Sequence, residues 1–201
     1  MQSQISSFTP IIWQEDIPSS VDAENYKECE VCTAKSRVIW GEGNPDAPVF
    51  IILDNPGERE NKDGHEYLCG TRETLQMGLY ESGIPLDEVY LTYILKCRPR
   101  RAYDKDRARA FSMPFIIRQI EMAKPKFLVC LGNVAVQCMF DDKDVNVKGL
   151  REDWQNLMGH PTIISYHPLA VRRRPNLLNY FLEGFQLLAE ALGKDIKVEI
   201  K

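Results

Sequence analysis

The feature that most constrains this chain is an alternation of short apolar runs with helical patterns. Val49 to Leu53, Val89 to Leu95, Phe127 to Leu131 and Thr162 to Ser165 are rich in β-branched, aliphatic and aromatic residues, as strands are. Each is followed by a stretch with helical periodicity. Thr71 to Glu81 closes at Gly83, Asp106 to Ala123 stops before Lys124-Pro125, Asn133 to Phe140 is short, and Asn176 to Leu192 reaches Gly193, read as a C-cap. Repeated units of this kind imply right-handed crossovers and one parallel sheet with helices on both faces. The expected fold is α/β, a three-layer α/β/α sandwich on a four-stranded parallel sheet. The expected organisation is one domain over residues 1–201, with residues 1–28 as an N-terminal extension.

In such a sheet ligands bind beyond the carboxyl ends of the strands. The segments placed there are Asp54 to Leu68, Lys96 to Tyr103, Gly132-Asn133 and His167 to Arg174. The first stands out, because LDNPGERENKDGHEYLCG, residues 53–70, follows Phe50-Ile51-Ile52 with an abrupt change to polar and turn-forming residues. Asn55-Pro56-Gly57 would serve any turn. Its chemistry therefore depends on what the other strand ends bring to the same edge.

Composition narrows the classes. With 44% hydrophobic and 27% charged residues, 201 residues can bury a real core, which excludes a disordered chain. No apolar run approaches the ~20 residues of a spanning helix, and no basic, apolar leader precedes Phe8 to Trp13, so the protein is expected in the cytoplasm with no membrane partner. The six cysteines are then expected as free thiols, metal ligands or cluster ligands rather than disulfides. A net charge of −4 means that any nucleic-acid contact comes from local basic patches. No P-loop and no glycine-rich dinucleotide motif follows a strand, which counts against a nucleotide-handling enzyme.

Several anchors, in order, carry a resemblance: Cys29-x-x-Cys32, GEGNPDAP (41–48), NPGE (55–58), VYLTYILKCRPR (89–100), RQIEMAKPKFLVCLG (118–132) and SYHP (165–168). From about Cys29 to Leu192 the chain resembles the uracil-DNA glycosylase superfamily, and within it the iron-sulfur branch called family 4. The resemblance implies an α/β/α sandwich and removal of a base from DNA in base excision repair, after the nucleotide is flipped from the duplex. Cleavage of the N-glycosidic bond places cationic charge on the sugar and an anion on the departing base. Such a site needs a carboxylate or water-positioning amide on one side and a hydrogen-bond donor on the other.

By that resemblance Glu60 orients water and stabilises the cationic sugar, Asn55 positions the attacking water, and His167 donates to the leaving base. Asp54 and Tyr67 belong to the base pocket, with Tyr67 stacking on the extruded base. Arg172, Arg173 and Arg174, with Arg98, form a phosphate grip beside a wedge segment starting at Leu169. Each has a plain alternative: a solvated loop carboxylate, a turn asparagine, a half-buried tyrosine, a solvated basic face. The cluster ligands would be Cys29, Cys32, Cys97 and the residue at Ser112.

Two positions depart from the family pattern. The strand before KCRP carries an asparagine in the iron-sulfur branch, where this chain has Tyr93, so an amide has become a phenol in the base pocket. The fourth cluster thiolate has become Ser112, which leaves a labile or incomplete 4Fe–4S cluster, zinc or no metal as the alternatives. Cys130 and Cys138 read as small buried hydrophobes. Two classes of function follow. The first is a monofunctional, monomeric DNA glycosylase acting on uracil or another deaminated or modified base, with no lysine placed for a Schiff base. The second is a catalytically impaired module on the same fold that binds DNA or a protein partner.

Overall fold

The computed structural model describes residues 8–32, 36–63, 70–99 and 102–194. Among them the strands are β1 (Glu15–Asp16), β2 (Gly41–Gly43), β3 (Val49–Leu53), β4 (Val89–Tyr93), β5 (Phe127–Leu131), β6 (Gln155–Leu157) and β7 (His160–Ser165). They form one sheet in the order β1-β2-β4-β3-β5-β7-β6. The helices are α1 (Ser20–Tyr26), α2 (Glu58–Asp63), α3 (Gly70–Glu81), α4 (Lys105–Ala123), α5 (Asn133–Phe140), α6 (Val147–Leu150), α7 (Pro168–Arg173) and α8 (Leu178–Lys194). None is long and apolar enough to cross a membrane.

The expected parallel strands β4, β3, β5 and β7 are neighbours at the centre of the sheet. The sheet has seven strands rather than four, because β2 and β1 extend it antiparallel beyond β4 and β6 does so beyond β7. These additions are two or three residues long and rich in polar residues and glycine, so no alternating pattern announces them. Gly193 lies within α8, which runs to Lys194.

Every residue of β3 is buried, and alternation along the strand serves two cores. Val49, Ile51 and Leu53 face one side, with Leu75 and Leu79 of α3 and Phe181 and Phe185 of α8. Phe50 and Ile52 face the other, with Ile116 and Ile120 of α4 and Ala135 and Val136 of α5. Helices therefore cover both faces, and the strand ends are held at fixed positions. The N-terminal segment joins this frame: Trp13 Nε1 donates to the Leu86 carbonyl at 3.0 Å, and Tyr26 is fully buried.

α3 meets α8 at a glycine. A Cβ on Gly78 would stand 2.5 Å from Cε1 of Phe181 and 3.3 Å from Cδ2 of Phe185. Gly78→Ala gains about 1 kcal/mol of helix propensity, but overpacking a closed aromatic contact costs about 1–3 kcal/mol. Both phenylalanines are buried with no room to retreat. The variant should lower the urea midpoint at an unchanged m-value, for a net loss of about 1 kcal/mol.

Candidate active site

β3 leads to β4 on one side, and the chain then returns to β5 on the other side of β3. Strand order thus reverses between β3 and β5, the crevice where open α/β sheets take their ligands. β3 ends into Asp54 and Asn55, β5 into Gly132, and β7 into Tyr166 and His167. Gly132 has φ +92°, and a Cβ there would lie 2.9 Å from the Cβ of His167. Its missing side chain lets His167 lean toward Asp54, with Nε2 3.4 Å from Oδ1.

His167 is also the N-cap of α7. Its Nδ1 accepts the Leu169 N–H at 3.1 Å, and Pro168 holds the first helical position, where an N–H would have no helical partner. With Nδ1 committed as acceptor, the neutral imidazole carries its proton on Nε2, the nitrogen beside Asp54. Burial works to raise the Asp54 carboxyl, but the His167 hydrogen bond and charge and the Asn55 N–H, 2.7 Å away, hold it below the usual value. Asn55 turns its Nδ2 to the Pro56 carbonyl at 2.8 Å, which leaves Oδ1 as an acceptor.

The segment read as a loop over residues 54–68 contains α2, a helix without apolar period. It folds Glu60 back over the turn, so that Oε2 would be 2.6 Å from a Cβ on Gly57, and Glu60 is only 4% exposed. Asp54, Asn55, Glu60, Tyr93, His167 and Arg174 come together around a cavity of about 440 Å³. Arg173 and Leu169 line it as well, and the wedge segment is the short helix α7. Tyr67 lies outside the described residues. The other two arginines point elsewhere: Nη1 of Arg172 lies where a Cβ on Gly70 would be, and Arg98 is 3.6 Å from Glu58 of α2. A second cleft of about 270 Å³ sits at the amino ends of β3 and β4 among Trp40, Phe50, Phe115 and Met122, and holds none of these residues.

Behind the cavity lies a pair that sequence reasoning missed. Arg72 Nη2 is 2.5 Å from Glu42 Oε1, with the two side chains 3% and 1% exposed. Tyr93 donates its hydroxyl to the same Glu42 oxygen at 3.1 Å. Burial, and then the Glu42 charge, push the Tyr93 hydroxyl well above its ordinary range; burial also raises Glu42, against the pull of Arg72. One signal was available. Arg72 shares its helix face with Leu75, Gln76 and Leu79 at spacings of three, four and seven, which marks it as inward-facing.

The sulfur atoms of Cys29, Cys32 and Cys97 all lie within 4.8 Å of one another. Cys32 and Cys97 form a disulfide with Cα atoms 5.9 Å apart, contrary to the expectation that no bridge forms. The cause is local packing: Tyr26, Trp40 and Phe115 form an aromatic cluster that holds the 29–32 segment against the exit of β4. Cys29 remains a free, buried thiol. Ser112, from α4, stands outside this group, its hydroxyl 2.6 Å from Tyr26 Oη, which accepts the Lys96 N–H at 2.7 Å. Three sulfurs, two of them bonded to each other, with the fourth position tied into a hydroxyl network, do not fit a four-thiolate cluster. Cys130 is buried and Cys138 half-buried, both free.

Comparison with known proteins fits this geometry. A family model described as uracil DNA glycosylase superfamily matches residues 40–189. The type-4 uracil-DNA glycosylase of Thermotoga maritima is 32% identical over 164 residues, 78% of this chain and 84% of that protein. The protein of the same name from Sulfurisphaera tokodaii is 30% identical over 177 residues, 82% of this chain and 79% of that one. A third, from Archaeoglobus fulgidus, is 28% identical over 176 residues, 84% and 88% of the two chains. Matched along most of its length, this chain belongs to the uracil-DNA glycosylase superfamily.

Proposed function

We propose that this chain is a monofunctional DNA glycosylase of base excision repair, acting as a single-domain monomer in the cytoplasm on uracil or another deaminated or modified base. The observation that carries the reading is the meeting of a carboxylate, an amide and an imidazole, Glu60, Asn55 and His167, on one cavity at the sheet's switch point. Similar proteins named for uracil-DNA glycosylase activity support it.

The roles follow from what each group can offer. Asn55 Oδ1 accepts from a water and aims it at the sugar carbon, and Glu60 places negative charge beside the cationic sugar and takes up the water's proton. His167 Nε2–H leaves Asp54 for a carbonyl oxygen of the base and stabilises the departing anion. Because the cap fixes the tautomer, the donor is ready before the base arrives. Arg173 and Arg174, exposed at the rim, hold phosphates, and the start of α7 faces the flipped nucleotide. The cysteines serve structure: Cys32 and Cys97 clasp the N-terminal segment to the strand end, and a 4Fe–4S cluster has no part in the steps above.

The closed Tyr93 network favours a second reading, a module that binds DNA without cleaving it. Excision assays separate the two. Glu60→Gln keeps the shape of a buried side chain, and His167→Asn keeps a capping residue. Both should leave the melting temperature within a few degrees while single-turnover base release falls by roughly a hundredfold or more. Intact DNA binding with no abasic product in the unaltered protein would favour the module.

Replacing Arg172, Arg173 and Arg174 together by alanine should weaken DNA binding. The slope of log affinity against log salt should fall by about two units, one for each of the two cavity-rim arginines. Measured by anisotropy over a salt series, an unchanged slope would place these charges in solvent only.

Anaerobically purified protein should carry far less iron and sulfide than a full cluster requires. Under reduction, which frees Cys32 and Cys97, Ser112→Cys should raise both, because it adds a fourth thiol at the position that the family pattern gives to the cluster. Iron and sulfide analysis with visible absorption reads the outcome.

A further inference from the structure

The second cleft, about 270 Å³, lies between the segment 16–22, Pro45-Asp46 and the last turns of α4. It shares no residue with the larger cavity at the carboxyl ends of the strands. Its floor is closed by Tyr90, which donates its hydroxyl to Asp16 Oδ2 at 2.6 Å, accepts from Gln119 Nε2 at 3.0 Å, and packs on the Phe50 ring with centroids 4.6 Å apart. This uses one oxygen of the half-buried Asp16 carboxylate, while Asp46 stands exposed at the rim. Asp22 is held by Ser19 and Arg118. Three carboxylates and one guanidinium therefore line the cleft, an excess of negative charge that repels phosphate and favours a cation.

Size and rim narrow the occupant further. The volume is below the ~300–1,000 Å³ that encloses a drug-sized ligand, and it suits one long side chain. Ile17 and Met122, which also line the cleft, are 86% and 76% exposed, the two most exposed large apolar side chains among the described residues. Apolar surface beside an acidic hole is what a protein partner covers, and a free cation would not.

We propose that this cleft is a protein-docking site whose occupant is an arginine side chain, presented between apolar residues by a partner protein. Arginine fits better than lysine, because its planar fork pairs with a carboxylate through two hydrogen bonds and it is the more weakly hydrated cation. The guanidinium meets Asp16 and Asp46, the stem lies along Met122 and Pro18, and the arginine's apolar neighbours cover Ile17. Arginine, methionine and aromatic side chains are the groups that the centres of protein interfaces favour. A partner seated at the amino ends of the strands leaves the cavity at their carboxyl ends open, so the chain can be held by a protein while it works on DNA.

The test titrates the isotope-labelled full chain with the peptide acetyl-Leu-Arg-Leu-amide, and with the same peptide carrying citrulline, which has nearly the shape of arginine without its charge. The arginine peptide should shift the Trp40 indole and Gln119 side-chain amide signals with a millimolar dissociation constant, and the citrulline peptide should bind about tenfold more weakly. Asp16→Asn keeps an oxygen for Tyr90 and should weaken the arginine peptide about tenfold. Asp46→Lys, at an exposed position, should weaken it at least as much, and decides the matter even where Asp16→Asn fails to fold. A single-stranded oligonucleotide should leave the peptide's constant within about twofold, as expected of separate sites. No shift at the cleft, equal binding of the two peptides, or an arginine peptide indifferent to Asp46→Lys overturns the proposal. Cleft signals that move with protein concentration alone make a second copy of the chain the occupant, and signals that move with the oligonucleotide alone make it a nucleic acid; either result overturns the proposal as well.

Discussion

The placement of β3 governs the rest of the molecule. It is paired in parallel on both edges and buried on both faces, so its five residues have no freedom to shift without disturbing two cores and two ladders at once. A one-residue slip would exchange Val49, Ile51 and Leu53 with Phe50 and Ile52 between the cores, and neither set fits the other's cavity. The consequence is felt one residue beyond the strand. Asp54 and Asn55 leave a rigid support, and the positions of Glu60 and His167 are set relative to it through Gly57 and Gly132, where no side chain intervenes.

The Glu42–Arg72 pair acts in a different way. Removing one member of a buried pair costs about 3–5 kcal/mol, because the other charge is left without water or partner. Such a pair is weak evidence for added stability, but it is strong evidence that the local geometry is fixed. Here it fixes the Tyr93 hydroxyl, and through it the character of the cavity wall. The disulfide acts on the other side of the fold. A bridge between residues 65 apart withdraws freedom from the unfolded chain, worth about 4 kcal/mol in the chain-entropy account.

The parallel core was legible because β3, β5 and most of β4 and β7 are apolar runs whose lengths and flanks leave little choice. The edge strands were not. Glu15–Asp16, Gly41–Gly43 and Gln155–Leu157 are extended because a neighbour offers an open ladder, not because their side chains prefer it. β4 ends at Tyr93 instead of Leu95, since the N–H groups of Ile94 and Leu95 turn to the carbonyls of Leu53 and Asp54. Charge hid α2, whose Glu-Arg-Glu-Asn-Lys-Asp sequence has no apolar stripe. At the site, Asn55, Glu60 and His167 could be named from motif and position. The bond from His167 to the start of α7, and the pair behind Tyr93, are tertiary facts that no local pattern encodes.

The anchoring of the N-terminal segment has a consequence for the order of assembly. Glu15–Asp16 pair with β2 and Arg37 bonds to Glu15 much nearer in sequence, while Ile11 bonds to Gln76, Trp13 to Leu86, Asp22 to Arg118 and Tyr26 to Ser112, holds that lie 65 or more positions downstream. Contacts so distant in sequence form late, after loop closure has been offset by other interactions. During synthesis this stretch leaves the ribosome before any of its partners exists. Its bonds to Arg118 and Ser112 cannot close until α4 has been made, so Ile11, Ile12, Ile17 and Val21, which stay exposed in the fold, flank a segment whose full anchoring comes late, a place where early aggregation would begin.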